Sequence, residues 1–147
     1  MADGVDGAAH QAALDAGGRT VAVLGTGADV VYPRKHAALA ERIAADGALV
    51  SEFPLATGAR PEHFPRRNRI IAGLSLGTLV IEAGLRSGSL ITARLAAEQG
   101  REVMAVPGSI HNRMKRGCHR LLRDGSRLVE SAAEVRDALA GPARAGR

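Results

Sequence analysis

Arginine, whose planar guanidinium binds phosphate at two points, is concentrated in one stretch of this sequence. Residues 60–69 read Arg-Pro-Glu-His-Phe-Pro-Arg-Arg-Asn-Arg, and Pro65 is typical of the first turn of a helix. Four polar side chains would then crowd a helix N-terminus, where free backbone N–H groups also attract phosphate: Arg66, Arg67, Asn68 and Arg69. Phe64 beside them is either a ring that stacks on a nucleic-acid base or a hydrophobic staple next to a solvated arginine face.

Two further segments have the composition of anion-binding sites. Arg86-Ser87-Gly88-Ser89 has small residues that let a backbone approach an oxyanion, although a plain capped turn has the same composition. A later basic run contains a single acid, Asp124, among Arg113, Lys115, Arg116, Arg120, Arg123 and Arg127. Residues 60–127 carry 13 basic and 5 acidic side chains, a net +8 in a chain whose net charge is +5. Three such segments favour a phosphate backbone over a small anion as the partner.

Other catalytic and cofactor patterns fit poorly. Gly25-Thr26-Gly27 follows a predicted strand, as in a dinucleotide fingerprint with Glu52 as ribose ligand, but Val30 stands where the third glycine belongs. Residues 73–77 spell a nucleophile elbow with the helix and the strand in reverse order, so we read Ser75 as a helix-end residue. The five histidines and the single cysteine, Cys118, lack metal-ligand spacing. We therefore expect no cofactor and no metal.

One enzymatic alternative stays open. The segment from Gly77 to Glu82 faintly resembles the glycine-threonine-glutamate site of phosphoribohydrolases of the lysine-decarboxylase-like group, which would make the chain a nucleotide-binding hydrolase. There the glutamate lies three residues after the threonine, whereas Glu82 lies four after Thr78. A slip of one residue in a strand turns the side chain to the other face. The competing interpretation is that Glu82 pairs with Arg86 or Arg94.

Short apolar runs alternate with helical patterns, which predicts an α/β fold with an open, mostly parallel sheet and helices on both faces. We expect strands at 20–24, 48–50, 78–81 and 103–106, and helices at 6–16, 34–45, 66–76, 90–99, 117–123 and 131–139, with Ser89 and Ser131 as N-caps. Residues 1–140 are predicted to form a single domain, and residues 141–147 a disordered tail.

The chain has no apolar run long enough to span a membrane, no signal-peptide pattern and one cysteine, so we expect a cytoplasmic protein.

The chain has only three aromatic side chains, Tyr32, Phe53 and Phe64. This scarcity argues against a nucleic-acid binder built on several stacking rings and leaves Phe64 as the one candidate.

Several segments together resemble the DNA-processing protein A family, also called Smf. The matching stretches are GVDGAAH (4–10), VAVLGTGADVVYPR (21–34), LVSEFP (49–54), FPRRNRIIAGLS (64–75), EAGLRSGSLITARLAAEQGREVMAVPG (82–108) and RGCHRLLRDGSRLVES (116–131). The resemblance covers nearly all of residues 4–135. Upstream of the GVDGAAH segment the family has a first strand and a Gly-Ser-Arg loop that this sequence does not contain, so we expect a core truncated at its N-terminus.

The resemblance implies a Rossmann-like, non-enzymatic protein that binds single-stranded DNA during natural transformation, protects it and helps to load the RecA recombinase. It implies that the DNA groove is lined by Arg34, Lys35, Phe64, Arg66, Arg67, Asn68, Arg69, Ser87, Gly88 and Ser89. Further phosphate contacts are predicted at Gly25, Gly27, Arg113, Lys115 and Arg116. It also implies a homodimer joined through Leu121, Leu122 and Leu128.

Overall fold

A computed structural model describes residues 2–141 of the chain, so the predicted tail lies outside the described residues except for Gly141. The fold divides into two compact units, Met1–Arg67 and Asn68–Arg147. The prediction of a single domain over residues 1–140 stays a prediction.

The first unit pairs two helices with two parallel strands. Helix α1 (Val5–Asp15) leads to strand β1 (Val21–Val23), and a 3-10 turn (Arg34–His36) leads through helix α2 (Ala37–Asp46) to strand β2 (Ala48–Val50). The register places Val21 opposite Ala48 and Val23 opposite Val50. Gly47 is needed before β2, because a Cβ there would lie 1.9 Å from the carbonyl oxygen of Thr20. The core consists of Leu14, Ala22, Leu24, Ala40 and Ile43.

Helix α3 (His63–Leu74) begins three residues earlier than predicted. The N–H of His63 donates to the carbonyl oxygen of Arg60 at 3.0 Å, which starts the helical turn before Pro65. Pro65 then falls in the first turn, where a backbone N–H has no helical partner to lose. The residues of α3 up to Arg67 belong to the first unit and the later ones to the second.

The second unit contains a three-stranded parallel sheet in the order β3-β4-β5. Its elements are β3 (Gly77–Val80), α4 (Gly88–Glu98), β4 (Glu102–Ala105), a 3-10 turn (Arg113–Lys115), α5 (Arg116–Arg123), β5 (Arg127–Leu128) and α6 (Ala132–Ala140). One apolar cluster gathers Val80, Ala83, Ala93, Ala105 and Cys118, and another Met104, Val129 and Ala138. Strand β5 was not predicted, since two exposed residues give no hydrophobic pattern.

The α/β class with parallel strands is confirmed, and the strands pair as two separate ladders. The N-cap of α6 is Ser131, as predicted, in a capping box with Glu134. The prediction of Ser89 as the cap of α4 was wrong: the helix begins earlier, and the Oγ of Ser87 accepts the N–H of Ser89. Among residues 2–141, no helix is long and apolar enough to cross a membrane.

Candidate nucleic-acid interface

The ring of Phe64 lies against the loop that follows β1. A Cβ at Gly25 would lie 2.9 Å from Cδ1 of Phe64, so a glycine is needed here for the ring to fit. Phe64 is partly buried by this contact. Its ring centre is 5.7 Å from that of Tyr32, with 40° between the ring planes, and Tyr32 is 49% exposed. Phe64 therefore packs against the loop after β1, next to a second ring that solvent reaches.

Arg67 lies on the buried side of a group that we call the Phe64 cluster, formed by Gly25, Tyr32, Phe53, His63, Phe64, Arg66 and Arg67. It is 6% exposed, and its Nη1 donates to the carbonyl oxygen of Val23 at 2.6 Å. Its guanidinium carbon lies 5.6 Å from the ring centre of Phe64. Burial lowers the pKa of the guanidinium from its ordinary value. These contacts give Arg67 a structural role in fixing α3 to the end of β1, and its predicted role as a DNA contact stays a prediction.

Arg66 and Phe53 form the outer side of the cluster. The Arg66 side chain is 64% exposed, and its Nε lies 3.5 Å from Oε1 of Glu52. Its guanidinium carbon is 5.8 Å from the ring centre of Phe53. Phe53 stacks on the imidazole of His63 with centroids 4.1 Å apart and 23° between the planes. A cation is thus held at the surface between a carboxylate and an aromatic face.

Sequence reasoning named one ring, Phe64, as the candidate for base stacking, and this stays a prediction. All three aromatic residues of the chain make ring contacts in the first unit, Tyr32 with Phe64 and Phe53 with His63. Tyr32 follows β1, Phe53 follows β2, and both of their partners lie in α3. These positions are far apart in sequence, so no local pattern could have revealed the contacts. Scarcity of aromatic residues did not mean that they were scattered.

The two glycines of Gly25-Thr26-Gly27 are buried, and the N–H of Gly27 and the carbonyl oxygen of Gly25 have partners within the protein. The N–H of Gly27 donates to the carbonyl oxygen of Thr57 at 2.9 Å. The Nδ1 atom of His63 lies 3.0 Å from the carbonyl oxygen of Gly25. This geometry explains the loop by packing, and phosphate binding by the two glycines stays a prediction.

A short basic turn follows Tyr32. Arg34 and Lys35 are exposed on the 3-10 turn, and Nζ of Lys35 lies 2.9 Å from Oδ1 of Asp3. The ammonium and the carboxylate are both more than half exposed, so solvent screens the pair strongly. The turn therefore adds two solvent-accessible cations to the first unit.

In the second unit, the predicted residues divide into exposed and packed ones. Arg69 and Gly88 are exposed, and Ser87 and Ser89 are partly buried. Asn68 is only 8% exposed, and its Nδ2 lies 3.5 Å from the carbonyl oxygen of Gly88. Asn68 thus lies against the start of α4 rather than at an open surface.

The basic run at the start of α5 is divided in the same way. Arg113 and Arg116 are exposed, whereas Nζ of Lys115 donates to the carbonyl oxygen of Ile81 at 2.7 Å. The stem of Lys115 also covers Gly108, where a Cβ would lie 2.7 Å from it. Lys115 therefore joins two loops, and the two arginines are the accessible cations of this set.

The predicted dimer residues differ in burial. Leu121 and Leu122 are partly buried and pack against the core of the second unit. Leu128, on β5, is 50% exposed. Only Leu128 of the three offers a large apolar surface to a partner.

The enzymatic alternative gains little from the geometry. Ser75 ends its helix, with Oγ donating to the carbonyl oxygen of Ile71 at 2.8 Å. Glu82 is exposed just after β3, and Arg94 pairs with Glu98 at 2.9 Å rather than with Glu82. Within residues 2–141, no group of histidine, cysteine and acidic residues is arranged to hold a metal ion.

Comparison with known proteins gives a consistent result along the chain. The model of the DNA recombination-mediator protein A family matches residues 1–140. Protein Smf of Escherichia coli is 54% identical over 136 residues, which are 92% of this chain and 36% of that protein. DNA processing protein DprA of Streptococcus pneumoniae is 50% identical over 135 residues, 92% of this chain and 48% of that protein. The chain thus spans less than half the length of these relatives.

Two solved structures share the fold. DNA processing protein A of Streptococcus pneumoniae superposes with a TM-score of 0.86 at 48% identity, over 91% of this chain and 47% of that one. DNA processing protein A of Helicobacter pylori, studied for its single-stranded DNA binding mode, superposes with a TM-score of 0.75 at 25% identity, over 82% of this chain and 55% of that one. The predicted Rossmann-like fold is confirmed by these superpositions.

Proposed function

The chain belongs to the DNA recombination-mediator protein A family, and on that premise we propose that it binds single-stranded DNA in DNA uptake and recombination. The proposal is that it protects the incoming strand in the cytoplasm and assists the loading of RecA, without catalysing a reaction. The relative from Helicobacter pylori, described by its single-stranded DNA binding mode, supports the choice of ligand.

The observation that carries the proposal is the cluster around Phe64. The Phe64 ring packs on Gly25 and lies beside the half-exposed ring of Tyr32. Arg66 is exposed beside the Phe53 ring, which stacks on His63. Aromatic faces bind bases of any sequence, and exposed guanidinium groups bind the phosphates between them. Single-stranded nucleic acid, whose bases are free to stack, matches both features better than a duplex does.

Binding of a fluorescent oligothymidylate, measured by anisotropy over a range of salt concentrations, tests the proposal. Three exposed cations of the first unit, Arg34, Lys35 and Arg66, predict a slope of log K against log salt of about −2, at about −0.7 per phosphate. A duplex of the same length should compete weakly. Absence of binding at low salt, or equal competition by the duplex, would contradict the proposal.

Partners follow from the same premise. We infer a homodimer in which Leu128 contributes the exposed apolar contact of β5, and RecA as the recombinase that receives the strand. A pull-down of RecA by this protein, with and without oligothymidylate, tests the second inference. Recovery of RecA that is no greater than on resin without this protein, whether or not oligothymidylate is present, would contradict it.

The hydrolase alternative is tested separately. Incubation with nucleoside monophosphates, followed by chromatography for free base, would reveal phosphoribohydrolase activity. If the wild type releases free base and Glu82→Gln does not, the hydrolase alternative is established. This result does not depend on whether the protein also binds DNA.

A further inference from the structure

Glu52 is held in a fixed position at the end of β2. On its N-terminal side, the Oγ of Ser51 donates to the carbonyl oxygen of Thr26 at 2.5 Å and accepts the N–H of Phe53 at 3.0 Å. These two bonds fix the backbone on both sides of Glu52. Its side chain is 19% exposed, and Oε1 lies 3.5 Å from Nε of Arg66. The carboxylate is therefore largely buried on a fixed stretch of backbone, with one oxygen near Arg66.

Arg66 is the exposed member of this pair. Its side chain is 64% exposed and lies 5.8 Å from the Phe53 ring, so its guanidinium can turn toward solvent without disturbing the core. A guanidinium binds carboxylate and phosphate with the same fork of donors. A phosphate that approaches Arg66 must therefore compete with the carboxylate already beside it.

We propose that Glu52 sets the DNA affinity of the Phe64 cluster by competing with the phosphate backbone for Arg66. This inference rests on the proposed function and assigns a role to a residue that lies outside the predicted DNA contacts. The strand gains the Arg66 contact only by displacing Glu52, so part of the binding energy is used in the exchange. Glu52 thereby weakens binding and limits it to ligands that make the other contacts of the cluster as well.

Removing the carboxylate tests the exchange. In Glu52→Gln, the affinity for oligothymidylate at low salt should rise about 1.5- to 5-fold, the range expected for a partly exposed ion pair. The gain should shrink as salt rises, because salt screens the pair in the wild type as well. Glu52→Asp, which keeps the charge but shortens the reach of the carboxylate, should also raise the affinity, although by less.

Two comparisons separate this exchange from a general effect of charge. Glu62→Gln, at an exposed glutamate beside His63, makes the same change in net charge and should raise the affinity less. In an Arg66→Gln background, the gain from Glu52→Gln should fall to the small gain that Glu62→Gln gives there. Thermal unfolding of each variant checks that the folded fraction is unchanged.

The outcomes are distinct. Failure of the wild type to bind oligothymidylate overturns the proposed function and this inference with it. Binding by the wild type with no gain in Glu52→Gln and Glu52→Asp overturns the inference alone. Equal gains in Glu52→Gln and Glu62→Gln, or a Glu52→Gln gain that stays undiminished in the Arg66→Gln background, would also overturn it. A gain specific to Glu52 that requires Arg66 supports it.

Discussion

The Nη1 atom of Arg67 donates a 2.6 Å hydrogen bond to the carbonyl oxygen of Val23, the last residue of β1. Arg67 is 6% exposed and its guanidinium contacts the Phe64 ring, so one buried cation fixes both the strand end and the ring. Its neighbour Arg66 is exposed and lies beside Glu52. Consecutive arginines thus have different tasks, which a sequence pattern alone cannot separate.

Arg67→Ala should therefore act mainly on stability. A buried carbonyl that loses a charged donor costs about 1.5–3 kcal/mol of unfolding free energy. Urea unfolding followed by circular dichroism measures the difference. Arg66→Ala, at an exposed site, is the matched control and should change the unfolding free energy by less than about 0.5 kcal/mol. Equal losses in the two variants would contradict the division of roles.

The fit between Gly25 and Phe64 predicts a coupled pair of substitutions. Gly25→Ala places a methyl group 2.9 Å from the ring, and overpacking of this kind costs about 1–3 kcal/mol. Phe64→Ala removes the obstacle, so Gly25→Ala should cost far less in the Phe64→Ala background. Unfolding free energies of the two single variants and the double variant measure this coupling. If the losses of unfolding free energy in the two single variants add up to the loss in the double variant, the packing of the ring does not depend on the glycine.

The same variants test the stacking role. Phe64→Ala should weaken oligothymidylate binding by about 1–3 kcal/mol without changing the salt slope, because it removes a ring and no charge. Tyr32→Ala, at a more exposed ring, should weaken binding with little loss of stability. Normal binding by Phe64→Ala at temperatures where it is folded would leave the ring with a packing role only.

The sequence predicted the helices and strands, but not the contacts among the residues of the candidate site. Strands and helices with strong apolar periodicity were placed within a few residues, because that periodicity depends on local burial. The pairing of Tyr32 with Phe64 and the burial of Arg67 depend on contacts across 32 and 44 residue positions, which no local pattern encodes. Strand β5 was missed because its two residues are exposed.

The three leucines of the inferred dimer surface should behave differently. Leu128→Asp alters a side chain that is 50% exposed and should convert dimer to monomer with little loss of stability. Leu121→Asp alters a side chain packed against the core around Cys118 and should unfold the second unit. Light scattering after gel filtration measures the first effect and circular dichroism the second. A Leu128→Asp protein that stays dimeric would place the interface elsewhere.

His10 gives the fold a dependence on pH. Its Nδ1 lies 2.7 Å from Oγ1 of Thr20, and burial lowers the pKa of the imidazole. In the unfolded chain the same imidazole has a pKa of about 6.5, so the unfolded state binds more protons as the pH falls below that value. The contribution of His10 to stability is therefore complete above about pH 6.5 and is lost progressively as the pH falls through this value.

His10→Asn retains a polar atom near the position of Nδ1 but does not titrate. Urea unfolding at pH 7.5 and pH 5.5 should show a smaller loss on acidification in the variant than in the wild type. Acidic residues of the chain titrate equally in both proteins, so the difference between the two profiles isolates the imidazole. Parallel profiles would show that His10 is protonated as easily in the folded protein as in the unfolded chain, and that its contact with Thr20 does not depend on the neutral ring.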